Sequence, residues 1–538
     1  MTHTQVLIAG GGPVGMTLAH VLAHYGVRSI LIERNETTTR HPKMDITNSR
    51  SMELFRRVGL ADKLRAVAVA ESQPFDVSWI TTLTGEELHR FVYPSVAQFR
   101  DKMRTQNDGT MPSEPPMRVS QVIIEPVLKA AIDADPLVDV RFGTAFESFD
   151  QDDGGVTVTL STGEHIRADY LIGCDGGGSR VRELLGIGLS GQAKVAQRFI
   201  THFRSTETRL LQRWGAAWHY QSDRGTLVAQ NDRDTWTLLS RFPDGLTFEE
   251  VDPSALIEAF VGAPIEHEIV VCNSWWPNLL VADSFGEGRV LLAGDSVHQV
   301  IPTGGYGMNT GVGDAFDLGW KLAAVLNGFG GVKLLASYEQ ERRPVALANC
   351  AGSARHNGVR IRNGALYNTG LDHAEMARRI AAHGNRENES FGLEMGYSCH
   401  ASAVVLPCPT EMPSADPVAY VPTTLPGSRL PSVYLADSSN LHEHLGPWFT
   451  LLCVADCDEI SFAEAASALG IPLKIARVDV SAHAALYQGP ALLVRPDQHI
   501  AWRGVPGGGA EAHRILVHAT GGMIGRTPLE LPLARAAS

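Results

Sequence analysis

Gln5–Arg34 reads QVLIAGGGPVGMTLAHVLAHYGVRSILIER, and these thirty positions set the expectation for the rest of the chain. Val6 to Ala9 form an unbroken apolar run, as in a central parallel strand covered on both faces. Gly10, Gly12 and Gly15 then give G-x-G-x-x-G where a helix must begin. Such glycines allow a sharp turn and let the backbone approach a pyrophosphate, which accepts hydrogen bonds from free amides at the helix N-terminus. Pro13 suits the first helical turn because no intrahelical bond needs its missing N–H. Val14, Leu18 and Leu22 recur at helical spacing, and Gly26 can close the helix. A second strand, Ser29 to Ile32, ends in Glu33 and Arg34. A carboxylate there can accept bonds from the ribose hydroxyls of an adenosine. A lone glycine motif could be a plain turn, but with strand, helix, second strand and terminal acid all in place the stretch reads as a dinucleotide site.

The full sequence of 538 residues is too long for one core and suggests two to four domains. With 44% hydrophobic and 20% charged residues, it has the composition of an ordinary globular protein. The formal charge of -13 and the lack of a basic run argue against nucleic acid and anionic membrane surfaces as partners. No segment approaches the roughly 20 apolar residues of a membrane helix. The N-terminal strand is part of the fold, so no signal peptide is expected. Seven scattered cysteines do not resemble a disulfide framework, and a reducing cytoplasm is the expected compartment.

Past Glu33, the polar turn Asn35–Arg40 leads to His41-Pro42-Lys43-Met44-Asp45 and then a helical segment ending at Gly59. Spacing alone reads Lys43 and Asp45 as a solvated loop before a helix N-cap; the functional alternative assigns Lys43 to a phosphate or flavin edge and Asp45 to a substrate. Residues 68–116 read as irregular, either a cover over a pocket or a surface excursion. Gln121–Ile132 has the apolar spacing of a helix on the sheet, and short β-like segments between 138 and 167 suggest a small inserted antiparallel sheet. Ala168–Gly176 is again a buried strand, ending in Asp175. Phe199–Asp283 is rich in strand formers; Trp218-His219-Tyr220 fits a sheet facing a cavity or, equally, an aromatic core. Gly288–Asp295 is a further strand with a terminal acid, followed by Pro302-Thr303-Gly304-Gly305-Tyr306-Gly307-Met308-Asn309 and a long helix. Open parallel sheets bind ligands outside such strand ends, so Asp175 and Asp295 should face the crevice at Gly12.

Three motifs in this order resemble one family: Gly10-x-Gly12-x-x-Gly15 with Glu33, Asp175-Gly176-x-x-Ser179-x-x-Arg182, and Gly294-Asp295 with Pro302 and its glycine loop. They are similar to the group A flavin-dependent aromatic hydroxylases of the p-hydroxybenzoate hydroxylase fold, over about residues 4–360. The resemblance implies an α/β fold: a discontinuous FAD-binding Rossmann-like domain (1–185 and 284–400), an inserted β-sheet substrate domain (186–283) and a thioredoxin-like C-terminal domain (401–538). It implies FAD with its pyrophosphate at Gly12–Gly15, its ribose at Glu33 and its ribityl chain at Asp295. Backbone at Gly305, Gly307, Met308 and Asn309 would follow the pyrimidine edge, where a helix N-terminus favours negative charge. Gln121 matches a glutamine that touches FAD, and Lys43 stands where many relatives carry arginine, whose planar fork it lacks. Asp175 would lie between the FAD and NAD(P)H sites, or bond nearby amides; His298 reads as structural. With no second glycine motif, NAD(P)H would visit a shared groove transiently.

The resemblance further implies a cycle in which NAD(P)H reduces FAD, O2 adds to give a flavin C4a-hydroperoxide, and one oxygen passes to a phenolic ring. A base that removes the phenolic proton enriches the ring in electrons. Asp45 is the candidate, since Met44-Asp45 to Arg50-Ser51-Met52-Glu53 matches the A-D-x-x-x-x-R-T-x-E-like segment of the phenol hydroxylase branch. Pro302 is the second catalytic-site candidate; His219, Tyr220 and Trp236 are candidates on the substrate side. Arg495–Arg503 resembles the last hairpin of the appended thioredoxin-like domain. Cys453 and Cys457 are separated by three residues rather than two, which removes the redox C-x-x-C pattern and leaves a structural or dimerisation role, with a homodimer expected. The alternatives are a Baeyer–Villiger or polyketide-tailoring oxygenase on the same scaffold, or a flavin-binding protein without oxygenase activity.

Overall fold

The computed structural model describes residues 2–385, 389–505 and 507–522. Its central sheet runs Gly286–Glu287, Val290–Leu292, His165–Gly173, Thr2–Ala9, Ser29–Glu33, Val138–Phe142. The four pairings among the last five strands are parallel. Val6, Leu7 and Ile8 are fully buried, as their unbroken apolar run requires. The helix Pro13–His24 covers one face and meets the long helix Tyr306–Leu326. There the side chain of Val14 fills the space where a Cβ on Gly294 or Gly311 would stand, at 2.9 and 2.4 Å. The hairpin Phe146–Asp152 and Gly155–Leu160 is not a separate inserted sheet: it joins the first half of His165–Gly173 and extends the central one.

A second, seven-stranded sheet runs Glu268–Trp275, Arg198–Arg204, Thr235–Arg241, Gly225–Ala229, His219–Ser222, Val77–Ile80, Glu87–Phe91. Two of its strands and the helix Val96–Thr105 come from residues 68–116, expected to be irregular. The two strands pair with each other as a short hairpin, and only the first of them meets the rest of the sheet, at His219–Ser222 more than a hundred residues away, so the local pattern is weak. One sheet face packs Phe203, Tyr220, Trp236 and Leu238 under the helix Pro253–Val261. The other carries Phe75, Trp218, Val228 and Leu239 against Ile46 of the FAD-site side.

The C-terminal sheet runs Leu473–Arg477, Phe449–Cys453, Ala491–Val494, Ile500–Gly504. Its first pair is parallel around the helix Glu459–Leu469, and its last two strands form a hairpin followed by the helix Gly509–Ala519. This is the thioredoxin-like arrangement. A disulfide joins Cys453, at the end of its strand, to Cys457, just before the helix. No helix among the described residues is long and apolar enough to cross a membrane.

Candidate active site

The glycine turn is built from close contacts on three sides and open space on the fourth. Gly10 has φ +115°, and a Cβ on it would meet the Cys174 carbonyl oxygen at 2.2 Å. A Cβ on Gly15 would lie 2.0 Å from the Gly10 carbonyl oxygen, so the helix can close on the strand only without one. A Cβ on Gly12 would meet nothing within 4 Å: it would project into the space a pyrophosphate needs. Pro13 opens the helix as expected. Glu33 accepts the Gly11 N–H at 2.7 Å and the Asn35 N–H at 2.9 Å, which places its carboxylate at the rim of the turn, while Arg34 beyond it is exposed.

Across the crevice, Asp295 ends its strand. Asp295 is exposed, yet the surrounding protein raises its pKa by desolvation, opposed by His298 and Lys43. The charge of exposed Lys43 opposes the raised pKa of both Asp295 and Glu125. Gln121 is buried; its amide donates to Glu125 at 2.7 Å and its backbone N–H to Met44 at 2.9 Å. Pro302 is exposed, and its carbonyl closes the turn through the Gly305 N–H at 3.0 Å. Gly305 has φ +67°, and a Cβ on it would meet the Ile46 side chain at 2.3 Å, so the strand Ile46–Thr47 lies against the N-terminus of Tyr306–Leu326. The amides of Tyr306, Gly307 and Met308 precede the first intrahelical bond. The Asn309 side chain instead ties neighbouring segments together. It accepts from the Asn48 N–H at 3.0 Å and the Ser51 hydroxyl at 2.8 Å, and donates to the Ile46 carbonyl at 3.1 Å.

That clamp positions Asp45. Asn48, not Asp45, caps the following helix Ser49–Arg57, and Asp45 is buried rather than in a solvated loop. Its carboxylate accepts the indole N–H of Trp218, and the Arg118 guanidinium stands 4.0 Å away. Burial raises the Asp45 pKa; Arg118 and Trp218 oppose the rise without cancelling it. Arg118 sits in the two-residue ladder opposite Ile46, over the Trp218 ring at 5.6 Å, and burial lowers its pKa to about 10. The sequence gives no sign of Arg118 or of the role of Trp218, because the ladder between two-residue strands brings Arg118 to Asp45 and the packing of the seven-stranded sheet on Ile46 brings Trp218.

His219 joins this group as the neighbour of Trp218. The N–H groups of Trp218 and His219 both point at the Asp76 carbonyl, at 2.8 and 3.2 Å, so the two rings lie together with centroids 4.1 Å apart. Burial holds the His219 pKa well below its ordinary value, so this ring is neutral. Tyr220 and Trp236 do not join it. The Tyr220 hydroxyl donates to Gly215 at 2.6 Å and the Trp236 indole to Ser205 at 3.1 Å, both within the core under Pro253–Val261, on the opposite sheet face. Of the two expectations for Asp175, the structure shows the bonds to nearby amides: it accepts the Ser179 hydroxyl at 2.5 Å and the N–H groups of Arg180 and Val181 at 2.7 and 3.1 Å, anchoring the helix start there. His298 is structural as expected, bonded to Asp314 at 2.6 Å, which also takes Arg342 at 2.8 Å.

Residues 3–353 match the model of an FAD binding domain. The chain belongs to the FAD-dependent aromatic-ring hydroxylases. Residues 423–526 match the aromatic-ring hydroxylase C-terminal domain. The FAD-dependent monooxygenase apdD of Emericella nidulans is 37% identical, over 96% of this chain and 90% of its own length. The aklavinone 12-hydroxylase RdmE of Streptomyces purpurascens is 32% identical, over 93% and 95%. Among solved structures, the flavin-dependent monooxygenase PieE in complex with FAD and substrate superposes with a TM-score of 0.85 at 28% identity, covering 96% of this chain and 99% of that one. FAD is thus the cofactor, and the open side of Gly12, the Glu33 rim and the exposed Asp295 carboxylate fit its phosphates and sugars.

Proposed function

We propose that this enzyme uses NAD(P)H and O2 to hydroxylate a phenolic ring, with Asp45 as the base. When bound, FAD supplies the hydride acceptor and the activated oxygen. The chain's own residues do the rest. The free amides before the first bond of the helix Tyr306–Leu326 favour negative charge at the flavin's pyrimidine edge. Phe75, Trp218 and Val228 wall the ring and keep water out. Asp45 takes the proton from the ring hydroxyl, and its raised pKa keeps it basic enough to hold that proton. NAD(P)H binds transiently in the shared crevice.

The observation that carries this reading is one buried carboxylate with a single hydrogen-bonding side chain, immediately before the strand Ile46–Thr47 that touches the N-terminus of Tyr306–Leu326. A fused polyketide phenol is the favoured substrate type, since relatives at 32% and 37% identity are named polyketide hydroxylases. The test is a panel of monocyclic and fused phenols scored for substrate-stimulated NAD(P)H oxidation and for product oxygen derived from O2. A hydroxylated product supports the proposal. An ester formed by oxygen insertion would indicate Baeyer–Villiger chemistry instead, and no oxygen incorporation across the panel would leave a flavin-binding protein without oxygenase activity.

A further inference from the structure

Buried guanidinium groups elsewhere among the described residues have their donors met: Arg182 donates to the Gly177 and Ser296 carbonyls, and Arg429 and Arg495 meet carboxylates. Arg429 binds both oxygens of Glu53, and Arg495 reaches Glu341, Asp317 and Asp497. Arg118 is 4% exposed and differs from both. It donates one hydrogen bond, to the Ala229 carbonyl, its Nε is buried with no partner, and Asp45 at 4.0 Å is beyond direct hydrogen-bonding distance. A guanidinium has five N–H donors, and leaving them unmet in a protein interior is costly. The carboxylate of Asp45 is held from one side by Trp218. Arg118, Asp45 and the Trp218 and His219 rings therefore surround a place that lacks one acceptor.

We propose that Arg118 is the catalytic cation that receives the substrate's phenolate oxygen. This rests on the phenolic hydroxylase reading above. The step balances: the ring O–H bond breaks, its proton forms an O–H bond to the Asp45 carboxylate, and the electron pair stays on the ring oxygen. Asp45 becomes neutral as the ring becomes anionic, so Arg118 exchanges one anionic partner for another without any change in net charge. The new anion lies where the free donors are, and a charge-assisted bond there lowers the acidity barrier of the bound hydroxyl. The charged and titratable groups acting on this place are Asp45, Arg118, His219, Asp232 and Arg360.

The test uses FAD-loaded enzyme, without NAD(P)H, titrated with 4-nitrophenol, whose phenolate is visible by absorption. Wild type is expected to lower the apparent pKa of the bound phenol by at least about one unit, a tenfold shift toward the anion. Arg118→Met should abolish that shift while retaining FAD, and Arg118→Lys should restore part of it. Asp45→Asn, which removes the competing carboxylate but keeps Arg118, should bind the phenolate more tightly than wild type. An equal shift in wild type and Arg118→Met, or unchanged or weaker phenolate binding by Asp45→Asn, overturns the role of Arg118 even if phenols are hydroxylated. Failure of wild type to bind any phenol overturns this role and the phenolic reading together.

Discussion

Asp45 and Glu53 lie eight residues apart, are both buried, and have been given opposite surroundings. Glu53 accepts the Ser113 N–H and hydroxyl at 2.7 and 3.0 Å, Arg50 at 3.1 Å and a two-point contact from Arg429 of the C-terminal part. Burial works to raise its pKa, but Arg429 overcomes this and holds the carboxyl far below its ordinary range. At Asp45 the balance goes the other way: one indole and one cation at 4.0 Å leave burial in control. Partner number thus separates the two roles. A saturated carboxylate is a joint, and an undersupplied one keeps acceptor capacity for the proton exchange proposed for Asp45.

The joint extends further into the C-terminal domain. Arg50 donates to Gln498 and to the Asp497 carbonyl at 2.5 Å each, and Arg57 donates to the Pro496 carbonyl at 3.2 Å. The three buried carboxylates Asp317, Glu341 and Asp497 are met by Lys321 and Arg495. The helix that follows Asp45 is thereby held from behind by the hairpin of another domain.

The largest expected effect is at the joint. Arg429→Met leaves Glu53 buried without its main cation and should cost about 3–5 kcal/mol in chemical unfolding. Asp45→Asn should instead leave the unfolding midpoint near wild type or higher, and lower the hydroxylation rate by about a hundredfold or more with FAD retained. In wild type the rate should fall with decreasing pH through a pKa above the ordinary aspartate value, because the base must be ionised to act. A smaller contrast lies in the glycine turn: Gly12→Ala should fold normally and bind FAD about tenfold more weakly, whereas Gly15→Ala, 2.0 Å from a carbonyl oxygen, should lose thermal stability as well. The smallest effect concerns Glu394, raised by burial from 4.5 to about 7. The folded state then binds the extra proton between those values, so stability declines as pH rises from 4.5 to 7. Glu394→Gln should flatten that slope in melting temperature measured against pH.

What the sequence made legible was local. Gly10–Gly15 with Glu33 carries every signal of its turn within thirty residues, and the Gly288–Gly311 stretch shows its strand, acid and helix in order. Arg118 was hidden because its strand has two residues and its partner, Asp45, lies 73 positions earlier in the sequence. Tyr220 and Trp236 were misplaced for a related reason: strand alternation says that faces differ, not which one looks at the cofactor. Arg50 and Glu53 matched a family motif, yet the partners that give them their role, Arg429 and Gln498, belong to a distant domain.

The most direct measurement is mass analysis of product formed under isotopically labelled O2 by wild type and by Asp45→Asn. The expected result is one labelled oxygen in the wild-type product, and NAD(P)H consumption without comparable product from the variant. Labelled product from Asp45→Asn at the wild-type rate would contradict the assignment of Asp45 as the base.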